Sequence, residues 1–288
     1  MRLAHLHLPN ITPFSQVSKI QDTLTSRLLA SKNHPGHAPD PTIITFTPNP
    51  VYTTGRRDLP PSNTQSKSRG GSQLLLPAAL EPIRSLLRSP TSTGKDASSS
   101  SSSAIAEYHP TLRGGQTTYH GPGQLVAYTI LDLRRFGLTP RCHIRLLENS
   151  VVDVLQTFGV KALLTDDPGV WVQSESSKAV GLPPKKITAV GVHLRRNITS
   201  YGIGFNVSEE PMWFFRQIVA CGLEGREATS LEGAGVPGAS IEDVAGRFVK
   251  AFVGRVNNRD SVSTCGKPSG AGSGERIDSV YSISETDL

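Results

Sequence analysis

Apolar and polar residues alternate from Ala4 through Leu6 to Leu8, with His5 and His7 between them, the period of a half-buried strand. After Pro9 the period lengthens. Phe14, Val17, Ile20, Leu24 and Leu28 recur at helical spacing, with Pro13 suited to the first turn. Residues 42–46 are rich in β-formers and stop at Pro48-Asn49-Pro50; Val51 and Tyr52 then lead into a Thr54-Gly55-Arg56-Arg57 loop. Residues 125–133 read as a strand. Thr139 as N-cap and Pro140 at the first position start a helix with the apolar stripe Ile144, Leu147, Val151, Val154, Leu155 and Phe158, closed by Gly159. Residues 160–164 and 170–172 flank Asp166-Asp167-Pro168-Gly169 as strand, turn and strand. Residues 187–194 and 200–207 predict two more strands across a tight turn at 195–197, and 211–219 a short helix. Ser240 caps a last helix with the stripe Ile241, Val244, Phe248 and Phe252. Strands grouped in the middle with helices interspersed predict an α/β (α+β) fold, a mixed sheet flanked by helices.

Composition limits how much of the chain this fold uses. Only 36% of the 288 residues are hydrophobic, and the deficit is uneven. Residues 60–104 are rich in Ser, Thr, Pro and Gly, with an unbroken serine run at 98–103, and residues 257–288 read similarly. Such stretches bury too little apolar surface to offset their ordering entropy. The expected organisation is therefore one domain over 1–256, interrupted by a low-complexity insertion at 60–104 and followed by a disordered tail at 257–288. Within the insertion, 74–76 and 83–87 leave a short helix open.

A net charge of +6 is compatible with acidic protein partners, whereas clustered basic residues with interleaved aromatics, the mark of nucleic-acid binding, are lacking. Three cysteines at 142, 221 and 265 form neither a CxxC pair nor an even-numbered framework, which points to a reducing compartment. No apolar run has a membrane-spanning length. Residues 1–32 carry Arg2, Lys19, Arg27 and Lys32 against Asp22, mildly like a targeting segment, but they read better as a strand and a packed helix.

The segment Arg113-Gly-Gly-Gln-Thr-Thr-Tyr-His-Gly-Pro-Gly-Gln124 stands out physically. Its glycines permit close approach of the backbone to a ligand, Arg113 adds a charged donor and His120 a titratable group. It matches neither a P-loop nor a dinucleotide fingerprint. By position alone Cys221 reads as a small buried residue, like Cys142, with Cys265 a bystander, and Lys186 reads as a solvated strand end. Gly191, Gly202 and Gly204 interrupt strands, hinting at a groove beside them. His34 and His37 lie in a loop and mark no metal site, and His193 reads as structural.

Together these segments resemble the lipoyl(octanoyl) transferase family. Residues 113–133 resemble its signature, Lys186-Ile-Thr-Ala-Val-Gly191 its lysine motif, and Ala220-Cys-Gly222 its nucleophile motif. Residues 50–57 and 169–172 match in the same order. Thr188 departs from the pattern, standing where a small apolar residue is usual, and the insertion and the tail are extra. The resemblance implies the fold of the biotin and lipoate protein ligases. It implies transfer of an octanoyl group from octanoyl-acyl carrier protein to a lysine of lipoyl domains, those of 2-oxoacid dehydrogenase subunits and the glycine cleavage H protein. Cys221 is then the thioester nucleophile and Lys186 its proton partner, with no cofactor. Substrate contacts fall on Arg113, Gly114, Gly115, Gln116, Thr117, Thr118, Tyr119 and His120, on Ala189, Val190 and Gly191, and on Gly202, Ile203 and Gly204. By analogy the protein is mitochondrial. Two rival readings stay open: an ATP-dependent lipoate or biotin ligase of the same fold, and a binding module for carrier or lipoyl domains.

Overall fold

The computed structural model describes residues 1–33, 38–59, 74–89, 104–218, 225–258 and 274–288. Cys221, Cys265, His34 and His37 lie outside the described residues. Strands β1 (Arg2–Thr12), β2 (Thr42–Pro48), β7 (Gln124–Ile130), β8 (Ala162–Leu163), β9 (Val170–Val172), β10 (Lys185–Arg195), β11 (Ile198–Asn206) and β12 (Ser279–Ile283) form one mixed sheet. Its order is β12-β1-β2-β7-β11-β10-β9-β8. A smaller sheet has the order β4-β5-β3-β6, from β3 (Val51–Thr54), β4 (Leu87–Arg88), β5 (Ala106–Pro110) and β6 (Thr118–His120).

Successive side chains of a strand point to opposite faces. Accordingly Ile43, Leu125 and Ala127 pack under helices α2 (Pro140–Thr157) and α5 (Ile241–Asn257), while Ile44, Val126 and Tyr128 pack under α1 (Phe14–Ser31). Every residue of β7 is buried. That explains its nearly continuous apolar sequence: a central strand covered on both faces needs no alternation. The predicted caps hold, with Thr139 Oγ1 accepting from Cys142 N and Ser240 Oγ from Asp243 N.

Several boundaries differ from expectation. β1 runs on through Pro9 to Thr12, and its register against β2 shifts between Leu8 and Ile11, an irregularity of the kind that accommodates a proline. The 160–164 segment pairs only over β8. A short α3 (Glu175–Ala179) precedes β10, and the helix expected at 211–219 is α4 (Glu210–Phe215), shorter by a turn. In the 195–197 turn, Arg196 and Asn197 have φ of 51° and 66°, the left-handed pair that a two-residue hairpin needs. Inside the insertion, a 3-10 segment (Ala78–Leu86) and β4 set Leu80, Ile83 and Leu87 against Tyr52 and Tyr108. The stretch composed like a disordered tail contains β12, which adds in parallel to β1. Ile277 there is buried and trades two hydrogen bonds of 2.8 Å with the Asn257 side chain. A few apolar side chains with an open sheet edge suffice to order a segment whose average composition is polar.

Candidate active site

β6 and the turn before it lie across β10 and β11, leaving a cleft of about 470 Å³. Most of the residues singled out from sequence meet there. Arg113, Gly114, Gly115, Gln116, Thr118 and His120 line one wall. Lys186, Ala189, Val190, Gly191, Gly202, Ile203 and Gly204 line the other. Tyr119 opens instead onto a narrower pocket next door, which shares Thr118, His120, Lys186, Ala189 and Gly204 with the cleft. Thr117 is fully buried, and both its N–H and its hydroxyl donate to Asp58 Oδ2, at 2.6 and 2.7 Å. It anchors the loop to the 55–58 turn rather than facing the cleft.

Arg113 is buried, and its guanidinium works on the protein itself. Nη2 donates to Thr53 O, Thr53 Oγ1 and Gln116 O, each at 2.9 Å, and Nη1 to Gly114 O at 3.0 Å. The charge thus clamps a turn whose carbonyls otherwise repel one another. Thr118 Oγ1 is buried with no hydrogen-bond partner among the described residues, at the junction of cleft and pocket.

His120 ends a line of amides. Asn206 Nδ2 donates to Thr229 O at 2.8 Å, so Asn206 Oδ1 accepts from Gln124 Nε2 at 2.7 Å. Gln124 Oε1 then faces His120 Nδ1 at 3.1 Å, which requires Nδ1 to carry the proton and leaves Nε2 as an acceptor. Burial, and secondarily the Arg113 charge, push the imidazole down to about 3 against the raising effect of Gln124, so the ring is neutral at physiological pH. A Cβ on residue 204 would stand 2.9 Å from His120 Cε1, hence glycine there.

Lys186, at the start of β10, is held from several sides. Its Nζ donates to Pro168 O at 3.0 Å and stands 4.6 Å from the centre of the Trp171 ring. Arg226 lies over the same ring at 4.9 Å and pairs with Asp167 at 3.4 Å, while Trp171 Nε1 donates to Asp167 O at 3.3 Å. On the backbone, Lys186 N donates to Glu227 O and Thr229 N to Lys186 O, both at 2.9 Å. Phe215 and Arg226, which flank residue 221 in the chain, both line the narrow pocket with Lys186.

Gly114 N donates to Val192 O at 2.9 Å. By the alternation of an antiparallel ladder, Val190 and Val192 then turn their backbone groups toward the loop, and Gly191 and Gly202 bond to each other. The N–H groups of these glycines, and of Gly204 opposite Ala189, serve the sheet. Their use to the site is the space they leave, and Val190 N–H is one of the donors that β10 directs outward.

Sequence reasoning passed over Trp171, Arg226, Gln124 and Asn206 as site residues. Trp171 and Gln124 sit inside quoted motifs, so their presence was visible although their partners were not. Among the described residues no three His, Cys, Asp or Glu side chains are placed to hold a metal ion, and no helix is long and apolar enough to cross a membrane.

Comparison with known proteins agrees with this geometry. The lipoyl protein ligase A/B catalytic domain matches residues 102–253. A probable octanoyltransferase of Schizosaccharomyces pombe is 35% identical over 228 residues, 78% of this chain and 83% of that one. The mitochondrial octanoyl-acyl-carrier-protein:protein N-octanoyltransferase of Danio rerio is 30% identical over 252 residues, 88% and 91% of the two chains. Among solved structures, P. falciparum LipL1 in complex with lipoate has a TM-score of 0.54 at 9% identity, covering 99% of this chain and 67% of that one. Lipoate-protein ligase A bound with ATP has a TM-score of 0.52 at 12% identity, covering 99% and 90%. At such identities these structures speak for the fold alone. The chain belongs to the lipoyl protein ligase A/B family, and within it to the octanoyltransferases. It is an acyltransferase.

Proposed function

We propose that the protein transfers an octanoyl group from octanoyl-acyl carrier protein to a lysine of lipoyl domains through a thioester on Cys221. The carrying observation is the setting of Lys186. Its ammonium is fixed at the mouth of a cleft, and the chain on either side of residue 221 lines the pocket it occupies. A free thiol with a pKa of about 8.5 is only a few per cent thiolate at neutral pH, and a neighbouring ammonium raises that fraction. The thiolate attacks the thioester carbonyl, the carbon–sulfur bond to the carrier breaks, and Lys186 returns a proton to the departing sulfur. Neutral Lys186 then accepts a proton from the incoming lysine amine as the amide forms and the Cys221 thiolate leaves. The donor brings its own activation as a thioester, so no cofactor enters.

The buried Thr118 hydroxyl and His120 Nε2 are polar groups available to the substrate where cleft and pocket meet. The outward N–H of Val190, with those of Gly115 and Gln116, supplies donors for the oxyanion of each tetrahedral intermediate. Ala189, Ile203 and the three glycines form the acyl channel. The acceptors are lipoyl domains of 2-oxoacid dehydrogenase subunits and the glycine cleavage H protein, and the compartment is the mitochondrion, as the names of the animal relatives suggest. The catalytic unit is a single domain built on the eight-stranded sheet.

Intact-mass measurement after exposure to octanoyl carrier protein tests the reading. An octanoyl adduct is expected on the native chain and none on Cys221→Ala. An adduct that survives the substitution removes Cys221 from the chemistry. Transfer that runs on free octanoate and requires ATP makes the protein a ligase instead.

A further inference from the structure

Glu148 is 1% exposed in the middle of α2, among the side chains that α2 packs into the core. A carboxylate buried there needs strong partners. One is Arg145, whose Nη1 donates to Oε2 at 2.9 Å from the preceding turn of the helix. The other is the N–H of Gly169, which donates to Oε1 at 2.8 Å. That N–H belongs to the same peptide group as the Pro168 carbonyl, and the Pro168 carbonyl accepts from Lys186 Nζ. A single peptide plane therefore stands between a buried carboxylate and the lysine ammonium, its N–H turned to the anion and its C=O to the cation. Each end of the peptide dipole meets the charge that favours it.

The backbone is shaped for this arrangement. Gly169 has φ +127°, and a Cβ there would lie 2.6 Å from Thr188 O and 3.2 Å from Lys186 Cε, so a side chain would displace both the turn and the lysine. Trp171 closes the opposite side of Lys186 and ties the turn through its indole N–H to Asp167 O. Burial raises the Glu148 carboxyl, and the Gly169 N–H, then Arg145 and then Lys186 counter it.

We infer that Glu148 is the positioning residue for Lys186, holding the Pro168–Gly169 peptide so that its carbonyl fixes the ammonium at the mouth of the cleft. This rests on the reading of Lys186 as the proton partner of Cys221. Glu148→Gln keeps an acceptor for Gly169 N–H and removes the charge. Glu148→Asp keeps the charge and withdraws it by a methylene.

The test follows formation of the acyl-enzyme by intact mass, over a range of donor concentrations and pH, together with melting temperature. For Glu148→Gln the expected result is a fold retained, a maximal acylation rate down by about tenfold, a donor KM within about threefold and a displaced pH profile. Glu148→Asp is expected to restore less than half of the rate. The pair Glu148→Gln with Lys186→Ala is expected to be no slower than Lys186→Ala alone, because both act through one ammonium. A native rate and pH profile in Glu148→Gln overturns the inference, as does a double variant in which the two losses multiply. If Lys186→Ala alone acylates at the native rate, the reading of Lys186 fails instead, and the two failures are thus told apart.

Discussion

His120 and Lys186 face the same cleft from opposite walls. On the loop wall, Thr229, Asn206 and Gln124 hand a fixed sequence of donors and acceptors to His120, which is neutral and carries its proton on the side away from the substrate. On the strand wall, a carbonyl, an indole face and a neighbouring guanidinium surround a lysine. An imidazole pushed down to about 3 takes up almost no second proton at neutral pH, so it orients a substrate N–H or O–H without taking the proton from it. The proton traffic belongs to the lysine wall. The two walls meet at the backbone: Thr229 gives its carbonyl to the amide line and its N–H to Lys186 O. They share a frame while dividing the chemistry.

Removing one group from each wall separates these roles, and the lysine side gives the largest effect. Lys186→Ala is expected to lower turnover by about 10²–10⁴-fold, the usual worth of positioned acid–base catalysis, with donor binding little changed. Asn206→Leu takes from Gln124 Nε2 its short hydrogen bond, leaving only the 3.4 Å contact with Tyr119 O, and strips Thr229 O of its donor. It is expected to cost about 1–3 kcal/mol of stability, with a smaller loss of turnover than Lys186→Ala. Steady-state kinetics beside chemical denaturation check both. Equal losses of turnover would put His120 in the proton path and dissolve the distinction between the walls.

The loop wall was legible in the sequence because its shape is made by residue type. Gly114, Gly115 and the residues around them are needed for a backbone that passes close to β10 and to a ligand, and such requirements show in a string of letters. Cys221 and Lys186 were legible only in that company, since neither spacing nor burial marks a lone cysteine or a strand-end lysine. Glu148 left a fainter trace. It falls between Leu147 and Val151 on the stripe that predicted α2, and an acid on an apolar face calls for partners; Arg145 is one turn away in the sequence, but the other lies across the fold at Gly169. The proton on His120 Nδ1 was beyond reach, because two side chains and a backbone carbonyl from three segments settle it. The C-terminal strand was hidden for a plainer reason. Averaging over 257–288 dilutes Ile277, Val280, Tyr281 and Ile283 among serines, although the sheet edge selects those few.

The neutral wall also carries a pH signature. His120 is pushed down to about 3 by burial and the Arg113 charge, and His143, on the buried face of α2, to about 4 by burial. Below the ordinary histidine value of about 6.5 the unfolded chain binds protons that these folded-state rings refuse, so stability falls as pH falls. The slope is at most about 1.4 kcal/mol per pH unit for each ring, from about pH 6.5 down to the folded value of that ring. His120→Gln is expected to remove one such slope and His143→Gln the other, read as urea midpoints between pH 7 and pH 4. His5, lowered to about 4 by burial and then by the His7 charge, contributes a slope of its own that both variants keep. A slope that His120→Gln leaves unchanged would mean that His120 is protonated in the fold, and the loop wall would then be as charged as the other.

The smallest effect concerns the one departure from the family pattern that touches the lysine wall. Thr188 pairs with Phe205 on one side and Val170 on the other, is fully buried, and its Oγ1 has no hydrogen-bond partner among the described residues. The Thr118 hydroxyl is equally unpartnered but borders the pocket, where a substrate group can reach it. Thr188 lines neither the cleft nor the pocket. A desolvated hydroxyl that gains nothing in return is a net cost, and valine has nearly the same shape without it. Thr188→Val is therefore expected to raise the urea midpoint with an unchanged m-value, by a stability of about 1 kcal/mol, and to leave turnover within about twofold. A lower midpoint would show that the hydroxyl has a partner in solution. The strand that presents Lys186 would then rest on buried polar contacts, as the loop wall does, rather than on apolar packing.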